Sequence, residues 1–383
     1  MPMGASGGVM RWYGWVMRLA LFCAVWPKVA LAANFWSGFS PHAHFAGEFV
    51  GNFAGGLARG GTGTAYFDGG LDWDSTAAGA YPGGKFVLRY LAVDTGEPDQ
   101  LYVGDVQGVS NLTTDYNISR LYKLYYRQSL GPVTARLGLL NANDYFDTVG
   151  TASYLLCPSY GIFPVWSSNL PGSSTYPFSS LGAMVALGGD HHLLEAGVFG
   201  ADAMHPYRQP FTHGALMLLQ YTQAGKLGAG DYTIKLGAFR NRQNAQLAPR
   251  LGPQTSGFFG AMEYRFDALG LNWGAFLVGG GAPKPVNAVP WYAGAGLRVK
   301  NWFPNHPDDV LSAGASRVSL RGLPHAETNY EVTGIFALGP GVKLQPDLQV
   351  IVHPGGQLPT ALVGILRVDI DLVQWAKSQG VAL

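Results

Sequence analysis

The fold of this chain is decided by residues 342–353, which read VKLQPDLQVIVH. Apolar residues hold every second position from Val342 onward, and all the positions between them except Ile351 carry charged, amide or imidazole groups. Successive side chains of a β-strand point to opposite faces, so this period of two predicts a strand with one apolar and one polar face. The pattern lasts 12 residues. That length suits a tilted membrane strand of about 9 to 11 residues better than a soluble strand of about five or six.

The same alternation recurs in four other segments, at residues 65–74, 133–139, 262–267 and 366–371. A soluble β-sandwich also alternates, but its apolar faces meet in a core and its polar faces look outward. Short connections at 130–132 and 338–341 contrast with a long one at 153–180. Short turns on one rim and long loops on the other are typical of an outer-membrane barrel.

The stretch 157–177 within this long connection is rich in proline, serine and glycine. It is too long for a tight turn, and loops of this size are often functional. We expect it either on the outer rim or folded inward to narrow a pore.

The composition favours membrane strands over membrane helices. The chain has 54 glycines, 13% aromatic and 13% charged residues, and no apolar run after the N-terminus that is long enough to span. Barrel strands show only alternate residues to lipid, so mean hydropathy stays near neutral. At about 40 residues per hairpin, roughly 350 mature residues predict an all-β, antiparallel transmembrane barrel of about 16 strands with an aqueous lumen. The net charge of +1 does not indicate a nucleic-acid partner.

The N-terminus has the layout of a secretory signal peptide. Arg11 and Arg18 precede the apolar run 19–25, and the small-residue triplet 30–32 follows. The run is too short to cross a bilayer as a helix. We therefore expect cleavage after Ala32 or Ala33. The predicted organisation is a signal peptide at 1–32, a transmembrane β-barrel at 33–372, and a C-terminal tail at 373–383 that is either a short interfacial helix or disordered.

Several segments carry a resemblance to a known family. They are 104–111 (GDVQGVSN), 120–126 (RLYKLYY), 136–146 (RLGLLNANDYF), 327–332 (ETNYEV), 344–350 (LQPDLQV) and 353–356 (HPGG). Over nearly all of the mature chain, the sequence resembles the carbohydrate-selective porins of the OprB type. The resemblance implies a monomeric outer-membrane barrel of about 16 strands that admits glucose and related sugars. One departure is that the strand at 361–372 runs into the tail, whereas many porins end in an aromatic residue that signals to the insertion machinery.

A sugar-selective constriction needs charged or amide groups for the hydroxyl edge of the sugar and aromatic rings for its C–H faces, with binding weak enough for release. A charged side chain facing lipid would cost about 2 to 4 kcal/mol at midplane, so the charges are predicted to face the lumen. Arg127 and Arg136 are predicted on adjacent strands. The predicted pore-lining charges are Arg59, Arg89, Lys123, Arg127, Arg136, Glu48, Asp68, Asp105, Glu331 and Lys343, and the predicted stacking rings are Tyr66, Tyr125 and Trp166.

No catalytic residue, metal or cofactor is predicted. His191 and His192 are adjacent, so on a strand they point to opposite faces and do not share an ion. Cys157 is predicted to be an inert packed thiol, and no Gly-x-Ser-x-Gly motif follows the signal. The predicted partners are small sugars, outer-membrane lipid and lipopolysaccharide, and the barrel-insertion machinery.

Three other functions stay open at this point. A general or anion-preferring porin would have the same fold, although mixed charges and a net charge near zero favour neutral solutes. An outer-membrane barrel enzyme would need a nucleophile or carboxylate beside a positioned histidine. A structural or adhesive barrel would depend on its long loops more than on its bore.

Overall fold

A computed structural model of the protein describes residues 35–208, 210–243, 254–303, 306 and 308–381. Within these ranges, sixteen strands form one closed barrel. Each strand pairs antiparallel with its neighbours in sequence, and β16 closes on β1. This confirms the predicted fold class. The predicted signal peptide at 1–32 lies outside the described residues, and no helix in the described part is long and apolar enough to cross a membrane.

The strands are β1 (Phe39–Ala54), β2 (Gly60–Asp74), β3 (Gly84–Asp94), β4 (Ile118–Leu130), β5 (Val133–Leu140), β6 (Ser180–Gly188), β7 (His192–Gly200), β8 (Gly214–Leu227), β9 (Gly230–Gln243), β10 (Thr255–Ala268), β11 (Leu271–Gly281), β12 (Trp291–Lys300), β13 (Val310–Val318), β14 (Glu327–Gly339), β15 (Val342–Val352) and β16 (Ala361–Asp371). The α-helix α1 (Leu372–Ser378) follows β16, and short helical turns cover Phe35–Gly38, Asp99–Val103, Ala142–Asp144, Pro158–Tyr160 and Pro354–Gly356.

Burial along each strand is the reverse of that in a soluble sheet. On β15, Leu348 is 51% exposed while its neighbour Gln349 is 0% exposed. On β1, Phe49 is 57% exposed and Glu48 only 5%. Apolar side chains therefore face outward and polar ones inward, as expected of a barrel in lipid and not of a sandwich. The five segments predicted from period two are confirmed as β15, β2, β5, β10 and β16.

The two rims differ in the length of their connections. Four connections on one rim have two residues each, at 131–132, 228–229, 269–270 and 340–341. The tight turn at 340–341 needs glycine, because Gly341 has a φ of +75°. The other rim carries the long connections, of which 95–117 and 141–179 are the longest. The start of β1 and the helix α1 both lie at the short-turn rim, which in bacterial barrels faces the periplasm.

The apolar core of the molecule lies inside the barrel. Phe146, Phe163 and Trp166 of the connection 141–179 are each 0% exposed, and they belong to one buried cluster with Phe259 and Tyr292 of the wall. This connection, hereafter the inserted loop, therefore folds into the lumen. Of the two positions predicted for it, the inward one is correct.

The C-terminal tail begins with an α-helix, so of its two predicted forms the helix is correct for residues 372–378. The side chain of Asp371 caps this helix by accepting a hydrogen bond from the backbone N–H of Gln374 at 2.9 Å. The helix lies beside β1 at the short-turn rim.

Candidate pore constriction

Inward side chains divide into two groups by their access to water. On the first strands they stay partly exposed, as Lys85 (28%) does. On the later strands many of them are covered, as Glu331 (1%) is. We call the first group the open wall; it consists of Asp68, Asp72, Lys85, Arg89, Lys123, Tyr125, Arg127 and Arg136 on β2–β5. We call the second the covered wall; it consists of Gln220, Lys235, Glu263, Glu327, Glu331, Gln345 and Gln349 on β8–β15.

Strand register gathers the cations of the open wall. Arg127 of β4 lies directly opposite Arg136 of β5, and Lys85 of β3 lies opposite Arg127 on its other side. Arg89 lies opposite Lys123, next to a register shift between β3 and β4. Five cationic side chains thus occupy neighbouring inward positions on three strands.

Three of these cations have carboxylate partners. Asp72 bridges Lys85 Nζ and Arg89 Nη1, each at 2.7 Å. Lys123 Nζ reaches Asp144, at the start of the inserted loop, at 2.7 Å. These pairs fix the wall and attach one end of the loop to it.

Arg127 and Arg136 form no ion pair with any described carboxylate. The guanidinium of Arg136 lies 4.5 Å from the ring centroid of Tyr145, in the inserted loop. The Nε of Arg127 has no hydrogen-bond partner in the described structure. Each guanidinium carries five N–H donors and neither is neutralised by a described carboxylate, so the facing pair can donate hydrogen bonds to an oxygen-rich solute.

Acidic groups line the adjacent side of the same space. His42 Nε2 lies 3.4 Å from Asp68, and His44 Nε2 lies 2.8 Å from Asp369 of β16. The ring of Tyr66 packs edge-on against His44, with 5.6 Å between centroids. The accessible lumen thus has acceptors on β2 and β16 and donors on β4 and β5.

The carboxylates of the covered wall hold the inward loops instead of facing water. Each accepts hydrogen bonds from two consecutive backbone N–H groups of a loop, and such charge-assisted bonds are stronger than neutral ones. Glu331 accepts from Leu156 and Cys157, Glu263 from Gly150 (3.2 Å) and Thr151 (2.6 Å), and Glu327 from Val106 (2.8 Å) and Gln107 (3.0 Å).

Amide and ammonium groups of the covered wall complete this attachment. Gln349 Nε2 donates to the carbonyl of Val109 at 2.7 Å, and Lys235 Nζ donates to the carbonyl of Thr148 at 2.6 Å. These polar groups are satisfied by loop backbone, so the covered wall offers little to a passing solute.

Buried groups within the loop are shielded in the same way. Burial raises the pKa of Asp147 to about 8, although its carboxylate accepts from the N–H groups of Phe163 and Trp166. Burial also raises the pKa of the Cys157 thiol well above its usual range, so this thiol lacks the activated state that reactivity needs.

Most of the residues predicted for the pore face the lumen. Arg89, Lys123, Arg127, Arg136, Asp68 and Tyr125 lie on the open wall, and Tyr66 lies beside it. Lys343 is exposed at the short-turn end of β15. Glu48 also faces inward, but it is buried. Its Oε2 accepts from both Nε (2.9 Å) and Nη2 (2.8 Å) of Arg367, and Arg367 Nη2 also donates to the Ser110 hydroxyl. Glu48 therefore braces the wall.

Four further predicted residues need correction. Arg59 lies exposed in the connection 55–59 at the long-loop rim, because β1 ends at Ala54. Asp105 lies in the inward connection 95–117, not on a strand, and burial together with the Asp99 carboxylate raises its pKa well above the usual range. Glu331 faces inward, but it is occupied by the inserted loop. Trp166 is 0% exposed and its indole N–H is bonded to Asp147 at 2.9 Å, so it cannot stack on a solute.

The prediction missed four charges that belong to the open lumen: Asp72, Lys85, Asp144 and Asp369. Asp72 was detectable, because it stands on the polar face of the alternating segment 65–74. Lys85 and Asp144 carry no comparable signal, because the first is only the second residue of β3 and the second lies in a loop.

A closed sixteen-stranded barrel with apolar outside, charged lumen and inserted loop defines the class of outer-membrane porins. The family model of the carbohydrate-selective porins, OprB family, matches residues 70–372. The chain therefore belongs to this family, and it is a carbohydrate-selective porin of the bacterial outer membrane.

Solved structures agree with the fold. The high-pH structure of OprB from Pseudomonas putida superposes with a TM-score of 0.76 at 16% identity, covering 87% of this chain and 94% of that chain. The low-pH structure of the same porin gives a TM-score of 0.59 at 15% identity, covering 96% and 99%. OmpT of Vibrio cholerae with loop L8 deleted gives 0.54 at 7% identity, covering 87% and 99%. No curated protein sequence matches the chain significantly.

Proposed function

We propose that glucose and related monosaccharides diffuse passively through this porin along the open wall, without chemical turnover. The observation that carries the proposal is the facing pair Arg127 and Arg136, which have inward positions and no carboxylate partner among the described residues. Guanidinium N–H groups donate to sugar hydroxyl oxygens, while Asp68 and Asp369 accept from hydroxyl groups on the other side. The rings of Tyr125 and Tyr145 supply apolar faces for the C–H side of the sugar.

The test is single-channel conductance of the purified full-length protein in a planar bilayer, with glucose titrated in. Discrete openings blocked by millimolar glucose are expected. Arg127→Ala and Arg136→Ala should each weaken the block by about tenfold, because each removes a charge-assisted hydrogen bond. Arg59→Ala is the matched control, since it removes the same charge at the long-loop rim. Channel openings that no sugar blocks at any concentration tested would refute the proposal.

A second candidate is an anion-preferring small-solute porin. It is favoured by the five cations gathered on the open wall, while the glutamates of the covered wall are occupied by loops. The charge that a solute meets is therefore not the net charge of the chain. Reversal potentials under a potassium chloride gradient would separate the two candidates: a strong chloride preference with no sugar block supports the second.

We also propose that residues 1–32 are removed on export, that 33–372 form the barrel domain and that the mature barrel acts as a monomer. Its apolar outer face would contact outer-membrane lipid and lipopolysaccharide after delivery by the barrel-insertion machinery. The buried state of Cys157 supports a non-enzymatic role.

A further inference from the structure

A second polar cavity lies beneath the inserted loop, on the opposite side of the lumen from the arginine pair. It has a volume of about 420 Å³ and reaches the turn 228–229 at the short-turn rim. Thr151 and Tyr154 of the loop form one side of it. The rest of its polar lining comes from the wall: Asp231, Arg265, Asp267, Asn272, Arg298 and Lys300 on β9–β12. Its size and position suit a small solute near the periplasmic mouth.

The cavity holds three cations against two carboxylates. None of Arg265, Arg298 and Lys300 is ion-paired with a carboxylate in the described part of the chain. Arg298 donates to the Asn272 carbonyl at 2.7 Å, and the Asn272 amide donates to Asp267 at 2.7 Å, so a neutral amide separates these charges. Arg298 is only 4% exposed, and its Nε has no partner. Counted over the residues that line the cavity, the site thus has one more cation than carboxylates.

The aromatic member of the cavity is held in place before any solute arrives. The ring centroid of Tyr154 lies 5.8 Å from the guanidinium carbon of Arg298 and 5.1 Å from Lys300 Nζ. Its backbone carbonyl accepts from Gln345 Nε2 at 2.8 Å. The loop on its other side is fixed through Glu263. These cation–π contacts hold Arg298 and Lys300 beside the ring, and neither cation is neutralised by a described carboxylate, so both can take part in carboxylate recognition.

We infer that this cavity is a second solute site, selective for monosaccharides that carry one carboxylate, namely aldonic or uronic acids. The single carboxylate of such a sugar acid binds Arg265 and Lys300 and balances the excess positive charge. The hydroxyl groups of the same solute contact Asp231, Asp267 and Asn272. A neutral sugar leaves the extra cation unbalanced, and a phosphate dianion turns the balance into one excess negative charge. The inference rests on the proposed function, because such a solute enters and leaves through the same lumen.

The test uses gluconate as the probe, in planar bilayers that contain the purified full-length porin, with gluconate added to each side in turn. Native channels should be blocked by gluconate at lower concentration than by glucose. Lys300→Gln and Arg265→Gln should each weaken the gluconate block by about tenfold, through loss of a charge-assisted hydrogen bond, and leave the glucose block unchanged. Lys377→Gln is the matched control, since it removes one charge from the exposed helix α1 at the same rim.

Two results would overturn the inference: a gluconate block that is equal in native and Lys300→Gln channels, or a block that acetate reproduces as well as gluconate. Arg127→Ala separates this site from the arginine pair, because it should weaken the glucose block and leave the gluconate block within about twofold. A native channel that gluconate blocks and glucose does not would refute the proposed glucose path and support the cavity.

Discussion

The open wall and the covered wall are built from the same kinds of inward residue, yet they have opposite relations to water. Asp72 of the open wall holds two cations beside the lumen, whereas Glu331 of the covered wall holds two loop N–H groups and is 1% exposed. The difference is the inserted loop, which lies against only part of the barrel. A charge on the inner face of a porin therefore becomes a solute contact or a loop attachment according to what the loop covers.

The largest expected effect comes from a substitution that releases the inserted loop from the covered wall. Glu331→Ala leaves the N–H groups of Leu156 and Cys157 buried without an acceptor. Each buried N–H group left without an acceptor costs about 1 to 3 kcal/mol, so the loop should lose about 2 to 6 kcal/mol of stabilisation. Single-channel conductance should rise several-fold, and amide exchange at Leu156 and Cys157 should accelerate.

Glu331→Gln is the conservative control for this change. Its side-chain carbonyl still accepts one of the two bonds, so its conductance should fall between that of the native and alanine channels. Unchanged conductance and amide exchange in Glu331→Ala would show that the covered wall does not depend on this carboxylate.

A smaller effect is expected from placing a charge on the lipid face. Leu348→Lys puts an ammonium on the outward face of β15, where the cost is about 2 to 4 kcal/mol of unfolding free energy near midplane. Thr134→Lys adds the same group on the inward face of β5 next to the open lumen, and should cost less than about 1 kcal/mol. Urea unfolding in lipid vesicles measures both. Equal costs would contradict the assignment of the two faces.

The smallest effect, taken per pH unit, is expected for the opening of the inserted loop, which should depend on pH. The pKa of Asp147 is about 8 when the loop is closed, and the usual value is 3.8. Because this pKa is raised, the protonated carboxyl stabilises the closed loop fully at a pH below 3.8, the usual pKa. This stabilisation is lost progressively as the pH rises from 3.8 toward 8. Opening of the loop should therefore increase by up to about tenfold per pH unit between pH 5 and 7, and level off above about 8.

Hydrogen exchange at Phe163 and Trp166, corrected for the intrinsic pH dependence of amide exchange, measures this opening. Asp147→Asn should remove the dependence, because its amide does not ionise. A slope in Asp147→Asn equal to that of the native protein would assign the effect to another group.

Much of the fold could be predicted from the local alternation of apolar and polar residues along the chain. The alternation in residues 342–353 predicted both the strand and the side of it that faces lipid. Arg127 and Arg136 occupy polar positions of the same kind of period-two pattern, and this placed both on the inner face. The errors fall at the ends of strands and in loops, where no period of two applies. Arg59 lies just beyond the end of β1, and Trp166 belongs to a loop whose burial depends on the wall that it meets.

The sequence alone determined the barrel class, because alternation is a local property and each strand must show apolar side chains to lipid whatever the rest of the chain does. Only the tertiary structure decided the role of each inward charge. Glu331 and the N–H of Leu156 are 175 positions apart in the chain, and Glu48 and Arg367 are 319 apart. Such pairs form only when the barrel closes and the loop enters it, so the pore acquires a charge distribution that no segment of the sequence contains.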